Sequence, residues 1–153
     1  SRKSRAHYSD HSGVTPGKTI SPIECIMDAR STMRWVLTNA AKFNIDPDKI
    51  VAAGQSAGGH LALSTAMIDE YNEKADDLGI SCSPNAILLF SACVNAVEGW
   101  CDRLLADRRT KIWSISPAHN VRPGLPPMIE FHGTDDEILR IADDFLRKFK
   151  LLD

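Results

Sequence analysis

The sequence predicts an α/β fold with three layers, α/β/α, and a mostly parallel sheet. Short apolar runs, expected to be strands, occur at residues 49–53, 86–90 and 128–132. Residues 21–43 and 138–152 instead repeat apolar side chains at helical spacing. The middle run, Ala-Ile-Leu-Leu-Phe, has no polar position, as expected for a strand covered on both faces. Strands that alternate with helices are typical of a parallel sheet between helical layers.

The chain of 153 residues has the length of one domain. We divide it into a loop at 1–20, a helix and a strand–turn–helix core at 21–92, an irregular insertion at 93–125, and a strand and helix with acidic residues at 126–153. The insertion is expected either to cover a site or to form a plain surface excursion. The absence of an initiating Met indicates a processed or partial chain.

Composition excludes several classes of function. The net charge of −2 provides no basic field for nucleic acid, and the locally basic first stretch is interpreted as a solvated arm. No apolar run approaches the ~20 residues of a membrane span, and residues 1–20 lack the apolar core of a signal peptide. We therefore expect neither a nucleic-acid partner nor a membrane partner, and the cellular compartment stays open.

The cysteines argue against a metal site. Cys25, Cys82, Cys93 and Cys101 show no C-x-x-C spacing, and we expect no metal or organic cofactor. Their even number allows one or two disulfides, with Cys82 or Cys93 joined to Cys101. Buried free thiols are the favoured interpretation.

The first helix has a clear start signal. Ser21 is the predicted N-cap, Pro22 the first helical residue, and Glu24 the partner that completes a capping box. The apolar spacing predicts that the helix continues to about Phe43. Two large side chains of this helix are expected to pack in or near the core, Met33 and Trp35.

The motif with most chemical content is Gly54-Gln55-Ser56-Ala57-Gly58, which has the G-x-S-x-G form of a nucleophile elbow. Such an elbow holds its serine in a strained turn between a strand and a helix. Gly54 and Gly58 are expected to leave room where a β-carbon would clash. The β-branched strand before the motif and the helix after it fit this interpretation. The alternative is a glycine-rich turn without chemical meaning.

A second polar group follows the third predicted strand, in His132-Gly133-Thr134-Asp135-Asp136. A carboxylate just beyond a parallel strand lies at the same sheet edge as Ser56, where open α/β sheets place their sites. Asp135 and Asp136 are both candidates to orient a base for the serine. The alternative is a solvated turn followed by a helix N-cap.

These segments resemble a known family. Residues 46–62 are similar to the elbow of α/β-hydrolase esterases of the acetyl-esterase and hormone-sensitive-lipase-like group, and closely resemble carbohydrate acetyl-esterase-like members. Residues 116–117, 126–127 and 132–136 resemble the acid-bearing segment of that group, which usually reads H-G-T-x-D. The resemblance covers most of residues 16–150 and implies a partial α/β-hydrolase fold and catalytic domain.

The resemblance implies a serine carboxylic-ester hydrolase that acts on short-chain acyl (acetyl) esters, including esters of carbohydrates, through an acyl-enzyme on Ser56. Asp136 takes the catalytic acid position and Asp135 the variable one. Ala57 supplies one N–H of the oxyanion hole. Three glycines belong to the elbow: Gly54, Gly58 and Gly59. The partner is a small-molecule or carbohydrate ester, and the oligomeric state stays open.

Two features depart from the family pattern. No H-G-G-G-type oxyanion segment precedes Ser21, and no histidine follows Asp136. The histidines present are assigned other roles: His60 in packing, His132 in supporting its loop, His119 in a turn, His7 and His11 in the N-terminal arm. We expect three strands of a larger sheet, a base from outside this chain, and an unpaired apolar edge that promotes aggregation.

Two rival functions stay open. A prolyl-oligopeptidase-like peptidase also has G-x-S-x-G-G and an acid after H-G-T, but usually an aromatic residue where Ala57 stands. A non-catalytic or truncated relative would keep the fold without activity.

Overall fold

The computed structural model describes residues 20–97, 101–132 and 138–152. Helices and strands alternate in the order α1 (Pro22–Thr38), β1 (Val51–Gln55), α2 (Ala57–Met67), β2 (Ala86–Phe90), α3 (Cys101–Leu104), β3 (Met128–Phe131) and α4 (Ile138–Lys148). Short 3-10 helices lie at Ala41–Phe43, Ala106–Lys111 and Pro117–His119.

The three strands of the described residues form one parallel sheet in the order β1-β2-β3, and helices flank it. Gly54 is paired with Leu89, and Leu89 with Glu130, so the strands end together. The predicted α/β class and parallel sheet are confirmed. β2 has the predicted bounds, whereas β1 starts two residues later than the sequence indicates.

The predicted start of α1 is confirmed. The side chain of Ser21 accepts a hydrogen bond from the Ile23 N–H at 3.2 Å, and Glu24 Oε2 accepts one from the Ser21 N–H at 2.8 Å. The predicted end near Phe43 is wrong, because α1 stops at Thr38. The Asn39 side chain donates to the Trp35 carbonyl at 2.8 Å there, and so satisfies a carbonyl at the helix end.

The buried face of α1 differs from the predicted one. Trp35 is 54% exposed and contacts the Phe43 ring instead of the core. The buried positions include Arg30 and Arg34, which follow Ile26 at helical spacing. Both guanidinium groups have hydrogen-bond or ion-pair partners. Arg30 donates to the Ile68 carbonyl at the C-terminal end of α2, and Arg34 pairs with Asp76 at 2.8 Å.

The segment at 93–125 is part of the core. Ala96, Cys101, Leu105 and Ile115 are almost fully buried and join the same cluster as the apolar residues of α1, α2 and β2. Burial of these side chains rules out a plain surface excursion. The segment also reaches α1, because Arg108 pairs with Glu24 at 2.6 Å.

The four cysteines are free thiols in the structure. Cys101 is buried, and a hydrogen bond with Cys93, with burial second, raises the pKa of its thiol. None of the helices in the described part of the chain combines the length and the apolar character that a bilayer crossing requires.

Candidate active site

Ser56 has an unusual backbone conformation. It lies between β1 and α2 with φ 51° and ψ −118°, and its N–H donates to the Phe90 carbonyl of β2 at 3.1 Å. A positive φ is disfavoured for any residue with a β-carbon. Ser56 is exposed, and its side chain makes no capping hydrogen bond to α2. The hydroxyl is therefore held at the sheet edge, accessible to a ligand.

The glycines next to Ser56 differ in their steric role. A β-carbon on Gly54 would lie 2.2 Å from the Gly58 carbonyl oxygen, and one on Gly59 would lie 2.4 Å from the Ala92 β-carbon. Gly58 has open space at the same point, so the expected clash there is wrong. Glycine is required at 54 because the backbones of β1 and α2 approach closely, and at 59 because α2 lies close to Ala92.

The turn is held from two sides. The carbonyl oxygen of Ser56 accepts hydrogen bonds from the His60 N–H at 3.2 Å and from the Cys93 N–H at 3.1 Å. Ala57 is the first residue of α2. The first N–H groups of a helix have no acceptor within the helix and favour negative charge. The elbow thus places a hydroxyl beside a backbone donor suited to an oxyanion.

His60 packs in the core, as predicted. It has no exposed surface, and Nε2 lies 2.7 Å from the Ile115 carbonyl oxygen, to which it donates as N–H. Burial lowers the pKa of His60, and the hydrogen bond to Ile115 opposes this only in part. Nδ1 is buried without a partner. The ring is therefore neutral and structural.

Two further histidines, His119 and His132, lie in the described residues. His119 Nδ1 is 2.8 Å from the Ser116 hydroxyl, and its ring packs edge-on against Trp113. His132 follows β3 with a side chain that is 66% exposed, and its Nε2 lies 2.8 Å from Glu130 Oε1. His7 and His11 fall outside the described residues.

The predicted acids, Asp135 and Asp136, also lie outside the described residues, so the structure gives no position for either carboxylate. β3, which precedes them, ends beside β2 at the edge that carries Ser56. Glu130 at this edge was missed by the sequence reasoning. A charged residue inside the apolar strand of residues 128–131 is the signal that could have indicated it.

The described residues contain no candidate metal site. No group of three or more His, Cys, Asp or Glu side chains in residues 20–97, 101–132 and 138–152 is arranged to hold a metal ion.

Comparison with protein families places the elbow in a known sequence context. The BD-FAE family model matches residues 17–96, which is more than half of the chain. The chain belongs to the BD-FAE family. The match includes α1, the Ser56 elbow, α2 and β2, and ends just beyond the segment that holds the Ser56 carbonyl.

Solved structures show the same fold for this BD-FAE chain. The apo form of Thermogutta terrifontis esterase 2 is 38% identical, with a TM-score of 0.67 over 88% of this chain and 53% of that chain. The same enzyme bound to propionate is 37% identical with a TM-score of 0.66, and bound to butyrate 38% with 0.65. The predicted partial α/β-hydrolase fold and the resemblance to esterases are confirmed.

A curated relative is a plant protein. It bears the name probable isoprenylcysteine alpha-carbonyl methylesterase, comes from Arabidopsis thaliana, and is 27% identical over 135 residues. The match covers 74% of this chain and 28% of that protein. The BD-FAE chain is thus homologous to esterases. It spans 53% of the length of esterase 2 and 28% of the length of the plant relative.

Proposed function

We propose that this chain carries the nucleophile of a serine esterase that hydrolyses short-chain acyl esters. The observation that carries the proposal is the backbone of Ser56, an exposed serine at positive φ between a parallel strand and a helix. Strained residues of this kind persist at functional sites because the surrounding structure holds them there. Membership of the BD-FAE family and the likeness to esterase 2 support the same chemistry.

In the proposed reaction, the Ser56 hydroxyl oxygen attacks the ester carbonyl carbon while a histidine takes the hydroxyl proton. The tetrahedral intermediate collapses, the alcohol leaves with that proton, and the acyl group stays on Ser56. Water, deprotonated by the same histidine, then releases the carboxylic acid and restores the hydroxyl.

Three further groups complete the proposed machinery. The Ala57 N–H, at the positive end of α2, donates to the oxyanion of each tetrahedral intermediate. Asp136 orients the histidine and stabilises its charged form. The histidine itself is proposed to lie outside these 153 residues, since His60 is buried and neutral and the chain spans about half of esterase 2.

The acyl group is proposed to be short, from acetyl to butyryl. Esterase 2, similar to this chain over most of its length, has been solved with propionate and with butyrate bound. For the alcohol part we propose carbohydrate esters as one substrate class, on the resemblance of the elbow and acid segments alone. Acetate release from a fully acetylated glucose tests that part separately.

The test compares Ser56→Ala with Ser91→Ala. Ser91 is a matched control, because it is also exposed, also at positive φ, and follows β2 at the same sheet edge. Hydrolysis of p-nitrophenyl acetate, butyrate and octanoate is measured for the 153-residue chain and for the product of the entire reading frame.

We expect Ser56→Ala to lower kcat/KM by at least about 10³-fold, and Ser91→Ala to change it by less than about tenfold. Octanoate should be the poorest ester. Equal losses in both variants, or hydrolysis of a peptide p-nitroanilide in preference to the esters, would contradict the proposal. A background rate in the 153-residue chain, with Ser56-dependent activity in the longer product, fits a histidine from outside the chain.

A further inference from the structure

The segment that follows β2 supports the Ser56 turn. We call residues 92–93 the brace. The Cys93 N–H donates to the Ser56 carbonyl oxygen at 3.1 Å, and Ala92 packs so closely on Gly59 that a β-carbon there would lie 2.4 Å from it. Any shift of the brace therefore changes the turn that holds the Ser56 hydroxyl.

Glu130 holds the brace from the far side of β2. Its Oε1 accepts a hydrogen bond from the Ala92 N–H at 3.0 Å. The same oxygen lies 2.8 Å from His132 Nε2. In the strand register, Leu89 of β2 lies between Gly54 of β1 and Glu130 of β3. The Glu130 carboxylate therefore reaches past the end of the central strand to the brace, which supports the Ser56 turn.

The Ala92 N–H needs a hydrogen-bond acceptor because it is largely shielded from water. The Ala92 N–H follows the last paired residues of β2 and has turned away from the sheet ladder, while Ala92 itself is 9% exposed. A backbone N–H that is mostly removed from water needs an acceptor, and a carboxylate is a stronger acceptor than a neutral group. Glu130 is the only charged residue in β3, and its side chain is 27% exposed.

We propose that Glu130 is a positioning residue for the proposed esterase reaction. Through the Ala92 N–H it fixes the brace, and through the brace it fixes the Ser56 turn. Through His132 the same carboxylate fixes the end of β3, from which the segment with Asp136 departs in the sequence. Glu130 touches no reacting atom. The inference rests on the proposed role of Ser56.

The test uses two substitutions of nearly the same size as glutamate. Glu130→Met removes the acceptor and keeps an unbranched side chain, whereas Glu130→Gln keeps an oxygen that accepts from the Ala92 N–H. Glu70→Gln is the control, because Glu70 pairs with Lys111 at 3.4 Å in an exposed position away from the elbow. Hydrogen exchange of the Ala92 and Cys93 amides is measured beside kcat and KM of the active full-length product.

We expect Glu130→Met to speed exchange at Ala92 by at least about tenfold and to lower kcat by about tenfold, with KM changed less than about twofold. Glu130→Gln should restore both, and Glu70→Gln should match the unsubstituted protein. Unchanged exchange and kcat in Glu130→Met, or no rescue by Glu130→Gln, would overturn the inference. Amide exchange can be measured without activity. It therefore still tests the contact between Glu130 and the brace if the proposed role of Ser56 fails.

Discussion

At the scale of single residues, the Ser56 turn depends on two glycines and one carbonyl group. Gly54 and Gly59 allow the backbones of β1, α2 and the brace to approach one another, and the Ser56 carbonyl accepts N–H groups from His60 and Cys93. A positive φ at a serine costs of the order of 1–3 kcal/mol, so these contacts have to hold it. The turn is therefore a property of its neighbours as much as of the motif.

The buried imidazole of His60 predicts a pH dependence of stability. In the unfolded chain the pKa of this histidine has its usual value of 6.5, and burial lowers it in the folded chain. Below pH 6.5 the unfolded state thus binds more protons than the folded state. The folded state therefore keeps its full stability with a neutral His60 above pH 6.5. This stability is lost as the pH falls from 6.5 toward the pKa of His60 in the folded chain.

Urea unfolding between pH 7.5 and 5 measures this effect. We expect the free energy of unfolding to fall by up to about 1.4 kcal/mol for each pH unit below 6.5. His60→Gln serves as the comparison, because it leaves no ionisable group at the buried position, and it should lose this part of the slope. A flat profile in the unsubstituted protein, or an equal slope in His60→Gln, would contradict a buried neutral ring at His60.

Some residues of the candidate site could be proposed from the sequence and others were missed, for physical reasons. Ser56 was recognisable because the motif is local and each of its steric demands acts within a few residues. Glu130 was missed because its partner, the Ala92 N–H, lies 38 residues away, and only the strand register brings them together. Asp136 stays a prediction, since it lies outside the described residues.

At the scale of secondary-structure elements, a polar contact joins the start of α1 to the segment after β2. Arg108 donates to both carboxylate oxygens of Glu24, at 2.6 and 3.0 Å, and to the Ser21 hydroxyl at 2.8 Å. Burial raises the pKa of Glu24, but the hydrogen bonds from Arg108 and Ser21 outweigh it and lower the pKa from 4.5 to about 2. The capping box of α1 thereby becomes a tertiary contact.

Arg108→Gln should weaken this contact. We expect a loss of about 1 kcal/mol in the free energy of unfolding at pH 7, a modest figure because the pair is about one third exposed. The stability that Glu24 contributes is present above pH 4.5 and lost as the pH falls toward 2, and the variant should lose less over that range.

Urea unfolding at pH 7 and pH 3 checks this prediction. Lys111→Gln is the matched control from the same 3-10 helix, since its ion pair with Glu70 is half exposed on both sides and should contribute little. Equal stability of Arg108→Gln and Lys111→Gln at pH 7 would contradict the role given to the contact.

Elements with strong local signals were predicted well, and those shaped by tertiary contacts were not. Ser21, Pro22 and Glu24 fixed the start of α1, because a capping box involves only neighbouring residues. Arg30 and Arg34 were missed, since burial of an arginine depends on carbonyl and carboxylate partners far along the chain. Their spacing after Ile26 was the available signal.

At the scale of the whole molecule, the sheet has a free edge within the described residues. β1 pairs with β2 only, and no described strand lies on its other side. A groove along that edge is lined mostly by apolar and small side chains of α1, β1 and α2, among them Met33, Ala53 and Leu61. Unpaired strand edges are templates for pairing with another chain.

We predict that the 153-residue chain self-associates when it is produced alone. Ile50 and Ser56 bond to β2, so the two-residue alternation directs the Ala53 N–H to the free edge. Ala53→Pro removes that donor without a loss in the β1–β2 ladder and should shift the chain toward monomer.

Sedimentation velocity over a concentration series measures the association. Leu78→Ser controls for nonspecific hydrophobic association, because it removes a side chain that is 65% exposed and far from β1 in sequence. We expect this variant to self-associate as the unsubstituted chain does. A monomeric chain with a cooperative thermal transition would contradict the prediction.

The central claim is that Ser56 is the nucleophile, and the most direct measurement locates the covalent adduct. Esterase 2, 33% identical in its paraoxon-phosphorylated structure, shows that paraoxon reacts with a protein of this fold. The product of the entire reading frame is treated with paraoxon, digested, and mapped by tandem mass spectrometry beside its Ser56→Ala and Ser91→Ala variants. We expect one diethylphosphoryl group on Ser56, retained in Ser91→Ala and absent from Ser56→Ala. An adduct on any other residue, or equal labelling of Ser56→Ala, would contradict the account.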